Sequence, residues 1–264
     1  MTRRSLLGLL AGAGGLGADT REQRGKQIIE EVIATLGGPK FLALRNRIEK
    51  GRAYSFYRER LAGLAKATVY TRYLAPADPP RIDDLYLRER QAFGDEESWA
   101  VLFNEHDAWE ITFRGARPLR KETIERFRDN RQRDIFYILL RRLGEEGLII
   151  EHRGSDVVDN RPVDVVDITD AKNRVVTVYF HRSTRLPIRQ VFYRRDERRI
   201  RHEEVTVFDK YRDVGGVQLP YVIQRYQDGE RTFAMFAESV LINQDLTDEK
   251  FTLPVNLKIL ERQK

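Results

Sequence analysis

Apolar residues recur at helical spacing in two stretches of the chain and alternate with polar ones almost everywhere else. Near the start, Ile28, Ile29, Val32, Ile33 and Leu36 fall on one stripe. That predicts an amphipathic helix capped by Asp19 or Thr20 and stopped at Gly37-Gly38, with a short second turn from Phe41 to Leu44. Period-two alternation then predicts strands over residues 47–57, 66–74, 84–93, 99–103 and 108–113. Residues 121–143 break the alternation: Ile124, Phe127, Ile135, Ile138, Leu139 and Leu143 return to helical spacing, with arginine-rich positions opposite. Gly144 and Gly147 end that helix, and strands resume over 148–152, 161–169, 174–181, 187–194, 202–211, 218–227 and 230–243.

The connections say how these strands meet. Residues 169–173 (Thr-Asp-Ala-Lys-Asn) and 227–230 (Gln-Asp-Gly-Glu) are tight-turn chemistry, and Gly215-Gly216 supplies the positive φ that a hairpin turn requires. Pro220 stands near the start of a strand, where its missing N–H does least harm. Strands joined by hairpins lie side by side, so the sheet is antiparallel, and a sheet this long twists and curls. The expected class is α+β: a strongly curved antiparallel half-barrel, with the two helices covering the concave face and an apolar cavity beneath them.

Composition narrows the functional classes. The chain has 47 Lys+Arg against 41 Asp+Glu, a formal charge of +6, with the two signs interspersed as in residues 194–204. A nucleic-acid binder concentrates positive charge on one face with aromatics between, so nucleic acid is not an expected partner. No cysteine occurs, so no disulfide framework holds the fold and packing alone must do so.

The N-terminus predicts the compartment. Thr2-Arg3-Arg4 is a short basic stretch, Ser5 to Leu10 and the small residues after it are apolar, and Leu16-Gly17-Ala18 offers a small-residue cleavage site. This reads as a signal peptide over residues 1–18, too short to span a bilayer, for export to the periplasm by the Sec or twin-arginine route. Residues 19–264 then form one domain with no transmembrane segment. Gly12, Gly14 and Gly17 match the G-x-G-x-x-G spelling of a dinucleotide fingerprint, but no strand precedes them and no parallel βαβ unit follows.

Candidate chemistry does not converge. His106, His152, His181 and His202 are isolated, without metal-ligand spacing. Asp164 and Asp167 fall on opposite faces of a strand and Asp170 sits in a turn, so they make no paired acid/base site. Neither a G-x-S-x-G motif nor a cysteine nucleophile is present. The expectation is a protein that is not an enzyme, with no catalytic residue, metal or cofactor.

Both ends of the mature chain resemble a known superfamily. Residues 33–38 (Ile-Ala-Thr-Leu-Gly-Gly), followed by Leu42-Ala43-Leu44 and a strand, are similar to the opening of LolA-like periplasmic proteins. The closing phrase is similar too: residues 208–214 (Phe-Asp-Lys-Tyr-Arg-Asp-Val), Gly215-Gly216, residues 217–220 (Val-Gln-Leu-Pro), Asp228-Gly229, residues 243–246 (Asn-Gln-Asp-Leu) and 251–254 (Phe-Thr-Leu-Pro). The resemblance is to the outer-membrane lipoprotein-sorting, or lipoprotein-carrier, superfamily with its LolA-, LolB- and RseB-like members. It covers most of residues 19–264 as an order of elements, and no ligand-contacting residue carries over by motif. It implies a non-catalytic periplasmic carrier of lipoproteins or acyl lipids, with inner- and outer-membrane transport proteins as partners. The other implied function is an RseB-like module that binds protein and senses envelope stress.

A carrier must shield an acyl chain at about 0.8 kcal/mol per buried methylene, so a dozen methylenes supply roughly 10 kcal/mol before the costs of binding. The lining expected from alternate strand positions is Val176, Val178, Phe180, Val191, Tyr193, Val205, Val207, Phe233 and Met235. From the covering helix come Phe127, Ile135, Ile138 and Leu139. The alternative is that these same residues close on one another as ordinary core.

Overall fold

The computed structural model describes residues 20–262, His106 and Glu197 excepted. The expected leader, the glycine motif within it, the Asp19 cap and His106 lie outside the described residues. Helix α1 (Arg21–Leu36) begins at a reciprocal cap: Thr20 Oγ1 accepts from Gln23 N at 3.2 Å and Thr20 N donates to Gln23 Oε1 at 2.7 Å. A single turn, α2 (Pro39–Leu42), leads into β1 (Asn46–Tyr57). Then come β2 (Arg60–Tyr73), β3 (Leu87–Phe93), β4 (Trp99–Phe103), β5 (Ala108–Thr112) and β6 (Gly115–Pro118). Two helices follow, α3 (Lys121–Gln132) and α4 (Ile135–Arg141).

The second half is a meander: β7 (Ile149–Val158), β8 (Arg161–Thr169), β9 (Val175–His181), β10 (Pro187–Arg195), β11 (Arg201–Val214), β12 (Val217–Gln227) and β13 (Glu230–Ile242). The thirteen strands form one open antiparallel sheet in the order β6-β5-β4-β3-β2-β1-β13-β12-β11-β10-β9-β8-β7. The two meanders are joined by β1 against β13, with Arg47 opposite Ile242 and Ala53 opposite Met235. The result is the curved half-barrel of the α+β class.

Local chemistry explains the bend and the ends. At the β1–β13 seam the register slips between Lys50 and Gly51. A Cβ on Gly51 would lie 2.0 Å from the Phe236 carbonyl oxygen, so only glycine permits this bulge. Gly25 serves a similar need on α1, where a Cβ would stand 2.7 Å from the Ile150 carbonyl of β7. The outer edge of β6 is covered by the C-terminal segment: Ala116 N donates to Lys258 O at 2.9 Å and Leu260 N to Ala116 O at 2.7 Å.

The helix expected over residues 121–143 is two helices. Asp134 interrupts it, because its carboxylate accepts from Tyr137 N at 3.1 Å and restarts the helix as an N-cap. The consequence is a division of labour. Short, largely apolar α4 sinks into the main core with α1: Ile28, Val32 and Leu36 meet Ile135, Ile138 and Leu139 over Val166, Val178, Phe180 and Phe208. The buried N–H of Ile135 is satisfied by Gln190 Oε1 at 3.0 Å. Polar α3 stays higher, over the β1–β3 half. On the outer face of that half, Phe251 from the C-terminal segment fills a second cluster with Ile48, Tyr70 and Leu102.

Candidate functional site

Beneath α3 the sheet is not filled. A cavity of about 330 Å³ lies between that helix and the inward faces of β1–β3 and β11–β13. The floor explains the space: Gly51 pairs with Ala67 and Ala53 with Ala65, so adjacent inward positions of β1 and β2 carry almost no side chain. Phe93, Phe233 and Met235 wall this end, packed with Ala53 and Ala67. A volume of this size is at the lower end of small-molecule sites, roughly 300–1,000 Å³.

Much of the remaining lining is charged. Four guanidiniums (Arg47, Arg126, Arg131, Arg225) share the cavity with three carboxylates (Glu49, Glu89, Glu204). Arg131 of α3 pairs with Glu89 at 2.6 Å and Arg47 with Glu49 at 3.1 Å. Gln91 also donates to Glu89, at 2.6 Å. Burial alone would raise the Glu89 carboxyl, but Arg131 and Gln91 hold it below the usual carboxylate range. Glu204 is shared between Arg194 and, at 3.8 Å, Arg126. Arg225 differs from the others. Its guanidinium makes no hydrogen bond or ion pair with any described residue and stands 5.3 Å from the Phe233 ring centroid. Burial and the neighbouring Arg131 lower its pKa.

The expected lining is redistributed. Phe233 and Met235 border the cavity. Ile135, Ile138, Leu139, Val176, Val178 and Phe180 do not: they close on one another in the main core, because α4 drops onto that half of the sheet. Phe127 stacks on Phe103 with centroids 3.6 Å apart and anchors α3 beside Leu85 and Leu87. Val191, Tyr193, Val205 and Val207 lie on the opposite face. Val191 pairs with Val205, while the neighbouring Phe192 pairs with Val176 and enters the core. An irregularity between Pro187 and Arg189 sets the β10 alternation, and Phe192, Glu204 and Phe208 are the inward residues. The dry aliphatic cleft expected from the sequence is therefore an amphiphilic one. Its missed signals are the small residues at alternate strand positions and the arginine-rich face of α3.

Two of the isolated histidines, His152 and His202, lie against carboxylates. His202 Nδ1 lies 2.6 Å from Asp228 and Nε2 3.3 Å from Asp196, across two hairpin ends. Among the described residues no group of three or more His, Asp or Glu side chains is placed to hold a metal ion. A larger depression of about 850 Å³, between α3 and the β10–β11 turn, is lined almost wholly by charged residues, including Lys121, Arg126, Arg195 and Arg198.

No protein-family model matches the sequence, and no curated protein matches it significantly. Solved structures share its shape. A DUF1329 family protein from Desulfovibrio piger superposes with TM-score 0.58 at 11% identity, over 86% of this chain and 97% of its own. A putative outer membrane lipoprotein-sorting protein domain from Vibrio parahaemolyticus gives TM-score 0.57 at 12% identity, covering 87% of this chain and 97% of its own. A LolA superfamily protein from Nitrosomonas europaea gives 0.53 at 13%, covering 86% and 97%. The chain has the LolA-like fold.

Proposed function

We propose that this protein is a non-catalytic binding and carrier protein of the periplasm, which shelters the acyl chain of a lipid or lipoprotein beneath α3. One observation carries the reading: the sheet is left unfilled where Ala53 and Ala67, paired with Ala65 and Gly51, floor it, and Phe93, Phe233 and Met235 wall the space that results. A closed core has no such gap, since interiors pack to the density of organic crystals. The likeness of fold to a putative lipoprotein-sorting domain supports the same class, and the leader-like residues 1–18 support export. No helix among the described residues is long and apolar enough to cross a membrane.

Binding without chemistry fits the state of the carboxylates. Glu89 and Glu49 are each committed to an arginine, Arg131 and Arg47. Inner- and outer-membrane transport proteins would load and unload such a carrier. The test is native mass spectrometry and lipid extraction of protein purified from periplasm, together with uptake of a fluorescent acyl probe. Co-purifying lipid and saturable uptake support the reading; protein that is empty and takes up nothing sinks it. A stoichiometric polypeptide that survives delipidation would instead favour a protein-sensing module using the same cleft.

A further inference from the structure

The carrier reading leaves one cavity group unexplained, the guanidinium of Arg225. Each of the other three cavity arginines has a carboxylate within 4 Å: Arg47 has Glu49, Arg131 has Glu89 and Arg126 has Glu204. Arg225 has none among the described residues. Glu89, Asp134 and Glu204 act on it from beyond that range, and each is already engaged: Glu89 with Arg131, Asp134 as the cap of α4, and Glu204 with Arg194. A cation partly withdrawn from bulk water without a partner is costly, and that cost is offset when an anion arrives.

Position matters as much as pairing. Arg225 is opposite Phe233 across the β12–β13 ladder, and Ile223 is opposite Met235 one inward position along. The charge therefore stands directly beside the apolar wall, which continues through Met235 to Ala53. An apolar chain laid on that wall brings its polar end to the guanidinium. Resting on the carrier reading, we propose that the cavity selects a single-chain anionic amphiphile, whose carboxylate or phosphate is held by Arg225 while its hydrocarbon lies against Ala53, Ala67, Phe93, Phe233 and Met235. Arginine suits both headgroups, since its planar donors pair with either oxyanion in bidentate fashion.

The experiment is calorimetric titration of the full chain, in monomeric detergent-free solution, with dodecanoate, dodecyl phosphate, dodecanol and inorganic phosphate, repeated on Arg225→Gln and Arg225→Lys. The two anionic amphiphiles are expected to bind the wild-type protein at least about tenfold tighter than dodecanol. Inorganic phosphate should bind too weakly to measure. Arg225→Gln should abolish the preference, with a cooperative urea-unfolding transition showing that the variant is folded; Arg225→Lys should keep part of it. Equal binding of all three amphiphiles, or a preference that survives Arg225→Gln, overturns the proposal and leaves the carrier intact. Inorganic phosphate binding as tightly as dodecyl phosphate overturns it in favour of a free-anion site. If none of the amphiphiles binds, the carrier reading falls and this inference falls with it.

Discussion

The guanidinium of Arg131 on α3 lies 2.6 Å from the carboxylate of Glu89, a β3 side chain with no solvent exposure. This is the contact that fastens the covering helix to the sheet across the cavity. Phe127, one turn earlier, stacks on Phe103 of β4 and holds the outer side of the same helix. The rest of α3 is strongly polar, so its attachment depends on these few anchors rather than on a continuous apolar stripe.

Removing one partner of that pair leaves an uncompensated buried charge. Arg131→Gln is expected to destabilise the protein by about 3–5 kcal/mol, measured by urea unfolding. The double variant Glu89→Gln/Arg131→Gln should cost clearly less than the sum of the two single variants, because no lone charge remains. Additive costs would show that the pair does not couple helix to sheet.

Filling the floor should separate binding from stability. Ala67→Leu places carbon in open space and should block acyl-probe uptake while changing unfolding free energy by less than about 1 kcal/mol. Val178→Phe, in the closed core, should do the reverse: a loss of about 1–3 kcal/mol with uptake per folded molecule unchanged. If Val178→Phe blocked uptake and Ala67→Leu did not, the acyl site would lie under α4 instead.

The seam bulge depends on a close approach of two backbones. A Cβ at residue 51 meets backbone on both sides, 2.0 Å from Phe236 O and 2.8 Å from Ala237 Cα, so neither neighbour is a flexible side-chain end. Gly51→Ala is expected to cost about 3 kcal/mol or more in thermal or urea unfolding. A neutral effect would mean that the sheet can close this seam without its bend.

Two titratable sites, a carboxylate and an imidazole, predict opposite pH behaviour. Asp164 accepts from Arg185 Nη1 at 2.5 Å and Ser155 Oγ at 3.1 Å, and Arg185 also reaches Glu31 of α1 at 2.7 Å. Burial pushes the Asp164 carboxyl up, yet these donors win and hold it below 3.8. Its contribution is therefore full above that ordinary value and lost as pH falls through the lower folded one. Asp164→Asn should flatten the acid limb of a melting-temperature profile.

His202 runs the other way. Hydrogen bonds to Asp228 and Asp196 raise the imidazole above 6.5, so its contribution is full below that value and lost as pH rises through the folded pKa. Melting curves between pH 5 and 9 on wild type and His202→Gln should differ at the acid end and converge at the alkaline end. A difference confined to the alkaline end would contradict the pairing.

Much of the architecture was legible in the residues. Five of the six first-half strands, β1 to β5, and all seven strands of the second half were readable from alternation and turn chemistry, since a half-buried strand must alternate whatever its partner. The exceptions have local causes. Residues 115–118 are too short and too rich in Gly and Pro to show a period, so β6 went unread. Asp134 competes as a cap inside an otherwise helical stretch. On β10 an irregularity beside Ile188 sets which side faces inward, and periodicity cannot show that.

By itself, then, the order of apolar and polar residues determined an antiparallel, hairpin-built sheet with two helical interruptions, because those signals are local and each strand carries its own. Only the tertiary structure decided where empty space remains and what faces it. The joining of β1 to β13 brings Arg47, Ala53, Met235 and Arg225 together from opposite ends of the chain. Which helix sinks and which rides high depends on how α4 fills one half of the bend and leaves the other unfilled. These are properties of long-range pairing and packing volume, which no single stretch of sequence contains.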